Sequence, residues 1–600
     1  LITTEEQPPY ILPLPLTAAE AASCRKLAQD LRLPEVVAQL LYRRGITSPE
    51  AAAPFLAPQL AELPSPAALK GLDAAVDLLA ETIQAGQQVV IHGDYDVDGI
   101  TATVLLTDFL AKLGVTASWH LPNRLTDDYG LTMKSVASLA EKVSMPALLI
   151  TVDCGISTAD EVAYAKELGF RVIITDHHQP PSEPGRLPKA DAVINPRQQD
   201  CGFAYKDLSG VGVTFFLIMA LRRRMVEQGV WTQETMPNLR DFLDLVALGT
   251  VADVMRLTGI NRILVRAGLE VLGEQNRPGL RALCKVAGTG QGAITAEDIA
   301  YQLAPRINAA GRLGNPELAA ELLLSDGDTA NNLAQELEYA NLRRRELEAA
   351  VLDEAVRQAE QQLEQGMESL VLYGGNWHVG VIGIIASRMV DRFHLPSLVF
   401  TGETPPYPAE EGEVAVVKGS GRSVPGLDLH RALELCQEQI LRFGGHAMAA
   451  GLTVRQDAFA AFRALFDSRI QQMERDEQQQ GITVDALLDD RQDCREILRG
   501  LQLMEPFGEG NPEPVFLIRD VQLEDVHCLR EHLKFSLRLN SARLSGIGFF
   551  MAEHAPATAD RVDLGFRLKE TCFRGRKRLE VHAVAVKPSI TGAPSFLIAE

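Results

Sequence analysis

The stretch IHGDYDVDG, residues 91–99, decides how the chain is read. A short apolar run, QQVVIH, leads into three carboxylates at alternate positions, Asp94, Asp96 and Asp98, followed by Gly99. Like charges this close repel one another. A folded chain keeps them where a cation sits or where all of them face water. The preceding helical pattern, GLDAAVDLLAETIQAG, ends at Gly86, and residues 88–92 then read as a strand. ITATVLLTDFLAKLG reads as an amphipathic helix closed by Gly114. The acids therefore fall in a strand-to-helix turn, where Gly99 lets the backbone bend or approach a ligand closely.

Moving outward, the pattern recurs. VTASWHL, PALLITVDCG, FRVIITDHH and ADAVINP (190–196) are strand candidates, and LTMKSVASLAEK and STADEVAYAKELG are helices between them. The strands are nearly continuous apolar runs alternating with helices, as a buried parallel sheet requires. Asp153 ends one strand, and Asp176, His177 and His178 end another. Open α/β sheets bind ligands at these carboxyl ends. Residues 208–253 read as mostly helical and close with LRDFLDLVALGTVADV, an apolar helix ending at Asp253. Residues 331–364 hold no Gly or Pro and read as one long helix joining two domains. A second α/β unit begins at SLVLYGGNWHVGVIGIIASRMVDRF. Short alternating segments from about 482 onward predict a small barrel. Residues 1–17 read as irregular, followed by short helices in AAEAASCRKLAQDLRL and LPEVVAQLLYRRG.

Composition narrows the function. The 600 residues are 46% hydrophobic, enough for several cores. No run of 18 apolar residues is present, so no membrane span is expected. The chain opens on LITTEEQPPY without Met, so it is read as beginning inside a longer sequence, and it carries no secretory pattern. Eight scattered cysteines form no CxxC pair, which points away from zinc fingers and disulfide scaffolds and toward a reducing cytoplasm. A net charge of -21 argues against a nonspecific DNA coat but not against a nuclease, because a metal site needs carboxylates.

His92, Asp96 and Asp98 offer one imidazole and two carboxylates, a donor set suited to manganese and also to magnesium. An acidic, solvated turn is the plain alternative for that segment alone. Four separate segments each delivering an acid or imidazole at an element end weigh against it. Two divalent cations about 4 Å apart, sharing a bridging carboxylate, would activate a water and stabilise charge on phosphoryl oxygens: metal-assisted phosphoester hydrolysis.

The segments DYDVDG, TVDCG, DHH and GTVAD resemble the DHH phosphoesterase superfamily. GGNWHVGVIGIIASR, GSGRS and FGGHAMAAG resemble its DHHA1 partner domain, and LYRRGITSPEAAAPFL with the terminal barrel resembles the layout of the bacterial RecJ family. The resemblance spans most of residues 34–590 and implies an α/β fold. A parallel-sheet DHH domain and a second α/β DHHA1 domain are joined by a long helix, with a C-terminal OB-like β-barrel. The expected divisions are 1–70 (N-terminal helical), 71–255 (DHH), 256–366 (helical connector), 367–478 (DHHA1) and 479–600 (OB-like). It further implies that His92, Asp96 and Asp153 ligate one metal, and that Asp98, Asp153, His177 and Asp253 ligate the other. His178 is expected to contact phosphate or orient water, with Asp94 and Asp176 supporting the catalytic groups.

Substrate contacts are expected from two glycine-rich stretches, GSGRS with Ser420, Arg422 and Ser423, and RFGGHAMAAG with His446. Backbone N–H groups and a guanidinium can hold a terminal phosphate there, in a cleft expected between the two α/β domains. PRINAAGR is read as a compact polar turn presenting Arg306, Asn308 and Arg312. Asn123 and Arg124 follow a strand and are further substrate candidates. Trp377 is read either as a base-stacking residue or as a hydrophobic anchor. Phe573 with Arg574, Arg576, Lys577 and Arg578 joins an aromatic to a basic patch, a combination suited to single-stranded DNA.

The resemblance implies a single-strand-specific 5′-to-3′ DNA exonuclease of recombination and repair. The cytoplasmic enzyme would act as a monomer, with a helicase and single-strand-binding protein as partners. The alternatives are a DHH phosphodiesterase of short oligonucleotides or cyclic dinucleotides, and a noncatalytic replication scaffold. The barrel and long connector weigh against the first, and the intact ligand set against the second.

Overall fold

The computed structural model describes residues 8–124, 130–181, 183, 185–289, 293–402, 415–473, 481–489, 491–540, 542–557, 560–573, 576–589 and 596–598. The chain forms two compact units: Leu1–His120 with Gly130–Ala304 and Gln480–Glu600, and Leu121–Tyr129 with Pro305–Gln479.

In the first unit, after a short strand Tyr10–Leu12 (β1), five strands form one parallel sheet. They are Val89–His92 (β2), Ser118–His120 (β3), Ala147–Val152 (β4), Phe170–Thr175 (β5) and Ala192–Ile194 (β6), in spatial order β3-β2-β4-β5-β6. Every residue of β2 and β4 is buried, which is why both read as unbroken apolar runs. Helix Val97–Ala111 (α1) follows β2 and packs on helices Gly210–Glu227 (α2) and Leu243–Ala252 (α3). Leaving β2, the chain steps outward to β3 and then returns to the other side of β2 as β4. This reversal opens a crevice beyond the carboxyl ends of β2 and β4.

The same unit continues into helix Gly259–Glu274 (α4). PRINAAGR, which belongs to the second unit from Pro305 onward, lies in a helix, Ala304–Arg312, rather than the polar turn expected. Pro305 is accommodated because it follows a π-helical turn, Ile299–Leu303, where the α-ladder is already interrupted.

The second unit holds the expected long helix, Gly327–Glu364 (α5), and helix Val379–Phe393 (α6). Its strands are Leu370–Gly374 (β7), Ser397–Gly402 (β8), Val416–Arg422 (β9), Arg442–His446 (β10) and Ala449–Arg455 (β11), ordered β10-β11-β9-β8-β7. GSGR lies within β9 and RFGGH is β10, so the glycine-rich stretches are largely strands. The β9 glycines make room: a Cβ on Gly419 would lie 2.5 Å from the Phe400 ring, and one on Gly421 2.5 Å from Leu398. The edge strand β7 is sealed by α5. Gln358 donates to Tyr373 O (2.8 Å) and accepts from Tyr373 N (3.1 Å). Gln362 does the same with Val371 (2.9 and 3.0 Å). Two amides one helical turn apart thus replace a neighbouring strand, leaving this edge less open to another chain.

The first unit is completed by Ile482–Thr483 (β12), Ala486–Leu487 (β13), Phe516–Gln522 (β14), Glu524–Leu529 (β15), His532–Leu539 (β16), Ala542–Gly548 (β17), Arg561–Phe573 (β18), Arg576–Pro588 (β19) and Phe596–Ile598 (β20). Seven of them form the sheet β13-β14-β18-β19-β17-β16-β15. Strand β1, expected to be irregular, lies between β12 and β20. Its Tyr10 hydroxyl donates toward Asp563 O and Ala585 O, both at 3.0 Å. Val36, Val37, Leu40 and Leu41 near the N-terminus share one core with Phe516, Leu533, Phe566 and Val581.

Arg262 on α4 fastens these parts together. Its guanidinium donates to Phe55 O (2.8 Å), Leu503 O (3.4 Å), Glu505 O (2.8 Å) and Pro506 O (3.4 Å), and lies 3.9 Å from the Phe55 ring centroid. Burial, with Arg266 and Arg44 nearby, lowers its pKa to about 9. Arg262→Ala strands several buried carbonyls and is expected to destabilise the first unit by about 3 kcal/mol. Urea unfolding followed by tryptophan fluorescence measures this; an unchanged midpoint would remove the clamp from the account.

Candidate metal centre

The crevice beyond β2 and β4 collects the chemistry. Asp96 caps α1, its Oδ1 accepting from Gly99 N at 3.1 Å. Gly99 is required there because a Cβ would lie 2.6 Å from the Asp94 backbone. Asp98 is buried in the first turn of α1, and its carboxylate takes two backbone amides at the start of α2: Gly210 N at 2.6 Å and Val211 N at 2.9 Å. A helix N-terminus is a natural partner for an anion. Asp153 follows β4 with φ of 61°, a left-handed conformation uncommon outside glycine. Asp253 is the C-cap of α3.

Asp176 follows β5 and organises its surroundings. It accepts from the amides of Ile156 (2.9 Å), His177 (2.7 Å) and His178 (3.0 Å), and its Oδ1 lies 2.7 Å from His178 Nδ1. Although burial opposes ionisation, these contacts hold its pKa below the usual carboxylate value. In return they overcome the burial of His178 and raise its pKa to about 9, so that its imidazole is cationic at neutral pH. His177 goes the other way: burial, reinforced by the His178 charge, pushes it down to about 3 and keeps it neutral.

Three groups of ligand atoms lie within 4.8 Å of one another: Asp94, Asp96 and Asp153; Asp98, His177 and Asp253; and Asp153, His177 and His178. His177 Nε2 lies 3.1 Å from Asp153 Oδ1, 3.5 Å from Asp253 Oδ2 and 3.9 Å from Asp98 Oδ2. Yet Asp153 Oδ1 and both His177 ring nitrogens are buried without a hydrogen-bond partner among the described residues. Buried polar atoms converging without pairing are the arrangement that a cation satisfies. Burial and neighbouring carboxylates raise Asp98 to about 7, Asp253 to about 9 and Asp153 well above its ordinary value. This hard-oxygen set with an imidazole fits manganese or magnesium.

The comparisons follow the same layout. The DHH family N-terminal domain matches residues 88–250, the DHHA1 domain 366–472 and the RecJ OB domain 484–585. The single-stranded-DNA-specific exonuclease RecJ of Haemophilus influenzae is 37% identical over 542 residues, covering 87% of this chain and 92% of that protein. This chain belongs to the RecJ family. Its Escherichia coli member is 37% identical over 532 residues, covering 86% and 89%. The crystal structure of Thermus thermophilus RecJ with Mn2+ superposes with a TM-score of 0.79 at 31% identity, covering 98% of this chain and 80% of that one.

Within this RecJ-family site, the structure brings together Asp94, Asp96, Asp98, Asp153, His177, His178 and Asp253. Asp94, expected to support the catalytic groups, lies in one of these candidate ligand groups. His92 is buried outside these groups, with Nε2 3.3 Å from Gly130 O. The sequence reading missed the role of Gly210: a Cβ there would lie 2.4 Å from Asp153 Oδ1. It also missed Gly249, where a Cβ would lie 2.7 Å from Asp98 Oδ1, and Asn195, whose amide donates to His178 O at 2.9 Å. The signal for Gly210 was the SGVG start of a helix, a recurring anion-binding device.

The remaining predicted residues each have their own surroundings. Arg306 is tied to Glu338 at 2.5 Å, Arg312 donates to Gly380 O at 3.1 Å and Asn123 to Gly314 O at 2.9 Å. Asn308 is half-buried on the Ala304–Arg312 helix. Ser420 and Arg422 lie on β9 against Gly383 of α6. Burial and Arg124 lower the Arg422 pKa. Ser423 is buried and donates to Leu427 O at 2.7 Å, so its hydroxyl proton is engaged within a turn. His446 is exposed at the end of β10. Trp377 is 6% exposed and donates through Nε1 to Glu354 at 3.0 Å. Its ring is enclosed in the core, which supports the anchor reading and corrects the base-stacking one. Lys577 and Arg578 are exposed on β19, and Lys577 pairs with Glu570 at 2.7 Å. Phe573 pairs with Arg576 in the strand register, and Arg574 lies outside the described residues.

Two outcomes are expected. Asp98, Asp253 and His178 hold protons more tightly folded than unfolded, so the folded chain binds more protons and loses stability as pH rises. Between about pH 6.5 and 9 the metal-free protein should therefore melt at progressively lower temperature, and saturating Mn2+ should flatten the slope. Below that window neutral His177 acts in the opposite direction. A metal-free midpoint that rises from pH 6.5 to 9 would contradict the electrostatic account. Separately, Gly210→Ala is expected to weaken Mn2+ binding at least tenfold by calorimetric titration, because its methyl occupies the space of Asp153 Oδ1.

Proposed function

We propose that this chain is a single-strand-specific 5′-to-3′ DNA exonuclease that hydrolyses phosphodiester bonds with two divalent cations, manganese preferred or magnesium. The observation that carries the reading is the convergence of unpaired Asp153 Oδ1 and His177 Nε2 with Asp98 and Asp253 in one crevice. The relatives' activity and the metal-bound family structures support it.

In this reading Asp153 would be common to two ligand sets, which Asp96 with Asp94 or His92 would complete on one side and Asp98, His177 and Asp253 on the other. Bound there, the cations supply Lewis-acid activation of water and neutralise charge on the phosphate. The chain contributes placement. The Gly210 and Val211 amides hold both Asp98 oxygens at fixed points. Burial keeps His177 neutral, so a ring nitrogen retains its lone pair. Asp176 keeps His178 protonated beside the crevice, where its N–H and charge can meet a nonbridging phosphoryl oxygen. Hydrolysis adds hydroxide to phosphorus and a proton to the leaving oxygen.

The OB-like sheet and the residues 573–578 are proposed to hold the strand. Arg124, Arg306, Arg312, Arg422 and His446 are proposed substrate contacts in the second unit. A helicase and single-strand-binding protein as partners, a monomeric state, cytoplasmic location and the five divisions at 70, 255, 366 and 478 belong to the same proposal. Among the described residues no helix is long and apolar enough to cross a membrane.

The test uses manganese and an internally labelled, 5′-phosphorylated strand beside a duplex, a 5′-blocked strand and a cyclic dinucleotide. Nucleotides should be lost from the free 5′ end only, and Asp153→Ala should reduce the rate at least a thousandfold. Turnover of the dinucleotide without loss from the strand would replace this function with a small-substrate phosphodiesterase.

A further inference from the structure

Among the described residues of the C-terminal sheet, two adjacent aromatic side chains stand in solvent. Phe549 and Phe550 follow β17 and are 49% and 74% exposed. Phe550 has φ of 56°, a left-handed conformation that a bulky residue rarely adopts. The surroundings hold it there. Phe550 N donates to His532 Nδ1 at 3.1 Å, and the His532 ring meets Phe550 edge-on at 4.9 Å and Phe549 at 5.5 Å. From β19, His582 meets Phe549 edge-on at 5.5 Å. The following turn is tied to the β15–β16 hairpin, with Ala552 N donating to Glu531 O at 3.2 Å. Exposed Leu529 and Arg530 lie at the tip of that hairpin.

An exposed aromatic held in an unfavourable backbone conformation by specific contacts is a recognition feature rather than an accident of folding. The patch centres on two flat rings oriented by imidazoles, so it suits planar partners. We propose that Phe549 and Phe550, oriented by His532 and His582, form a stacking platform for unpaired nucleobases. The proposal rests on the single-strand reading above. It makes the bases, rather than only the phosphates, a determinant of binding at this sheet. Sequence tolerance follows, because every base has a π-face.

The experiment measures equilibrium binding by fluorescence anisotropy, in an Asp153→Asn background that prevents turnover. The probes are a long oligothymidylate and an abasic strand of the same length. Phe549→Ala/Phe550→Ala should weaken oligothymidylate binding about tenfold or more and leave abasic binding unchanged. Phe550→Trp should keep oligothymidylate affinity within a few fold. Both phenylalanines are exposed, so circular dichroism and melting should match the parent. Equal losses on both probes would overturn base stacking. No loss on either would also overturn it and leave the patch to a protein partner. If the parent binds neither strand, the single-strand reading falls together with the platform. If the parent binds both and only the variant result fails, that reading stands.

Discussion

Everything in the metal centre depends on confining mutually repelling carboxylates within a few ångströms of one another. In a low-dielectric interior such a cluster opposes folding unless backbone amides, protons or cations offset the charge. The chain divides the task. Asp176 is matched by three amides and His178, and Asp98 by the first amides of α2. Asp153 is left with Oδ1 unpaired. The first two carboxylates have structural partners; the third has its oxygen held open at the centre of the group.

This arrangement explains features of the surrounding fold that otherwise look unrelated. α2 must approach Asp153 so closely that only glycine fits at position 210, and α3 must approach Asp98 closely enough to require Gly249. The parallel order β3-β2-β4-β5-β6 sets the acids that follow β2 beside the acid that follows β4. A strand pair joined by a simple outward succession would not open the same crevice.

Stability is built at longer range. The N-terminal helices share a core with the C-terminal sheet, and Arg262 satisfies carbonyls from residues 55 and 503–506 at once. The proposed catalytic sheet, the first residues of the chain and the last domain thus form one compact unit. In the second unit the same logic operates at the β7 edge, where Gln358 and Gln362 stand in for a missing strand.

Periodicity alone made the parallel-sheet strands, the helix over residues 331–364 and the acid-bearing strand ends legible, because fully buried strands and helical faces leave characteristic apolar patterns. It did not reveal that GSGRS and RFGGH are largely strands, since Gly419 and Gly421 answer to Phe400 and Leu398 on a neighbouring strand and Gly445 to the backbone of Ala449 and Ala450. Nor did it show that PRINAAGR is helical or that Trp377 is enclosed, because both depend on neighbours remote in the chain. The sequence by itself determined which residue types could form a metal site and on which local elements they would stand. Tertiary structure alone decided which oxygens are held by amides and which remain open, because those partners lie up to about a hundred residues away and meet only when the sheet and helices close.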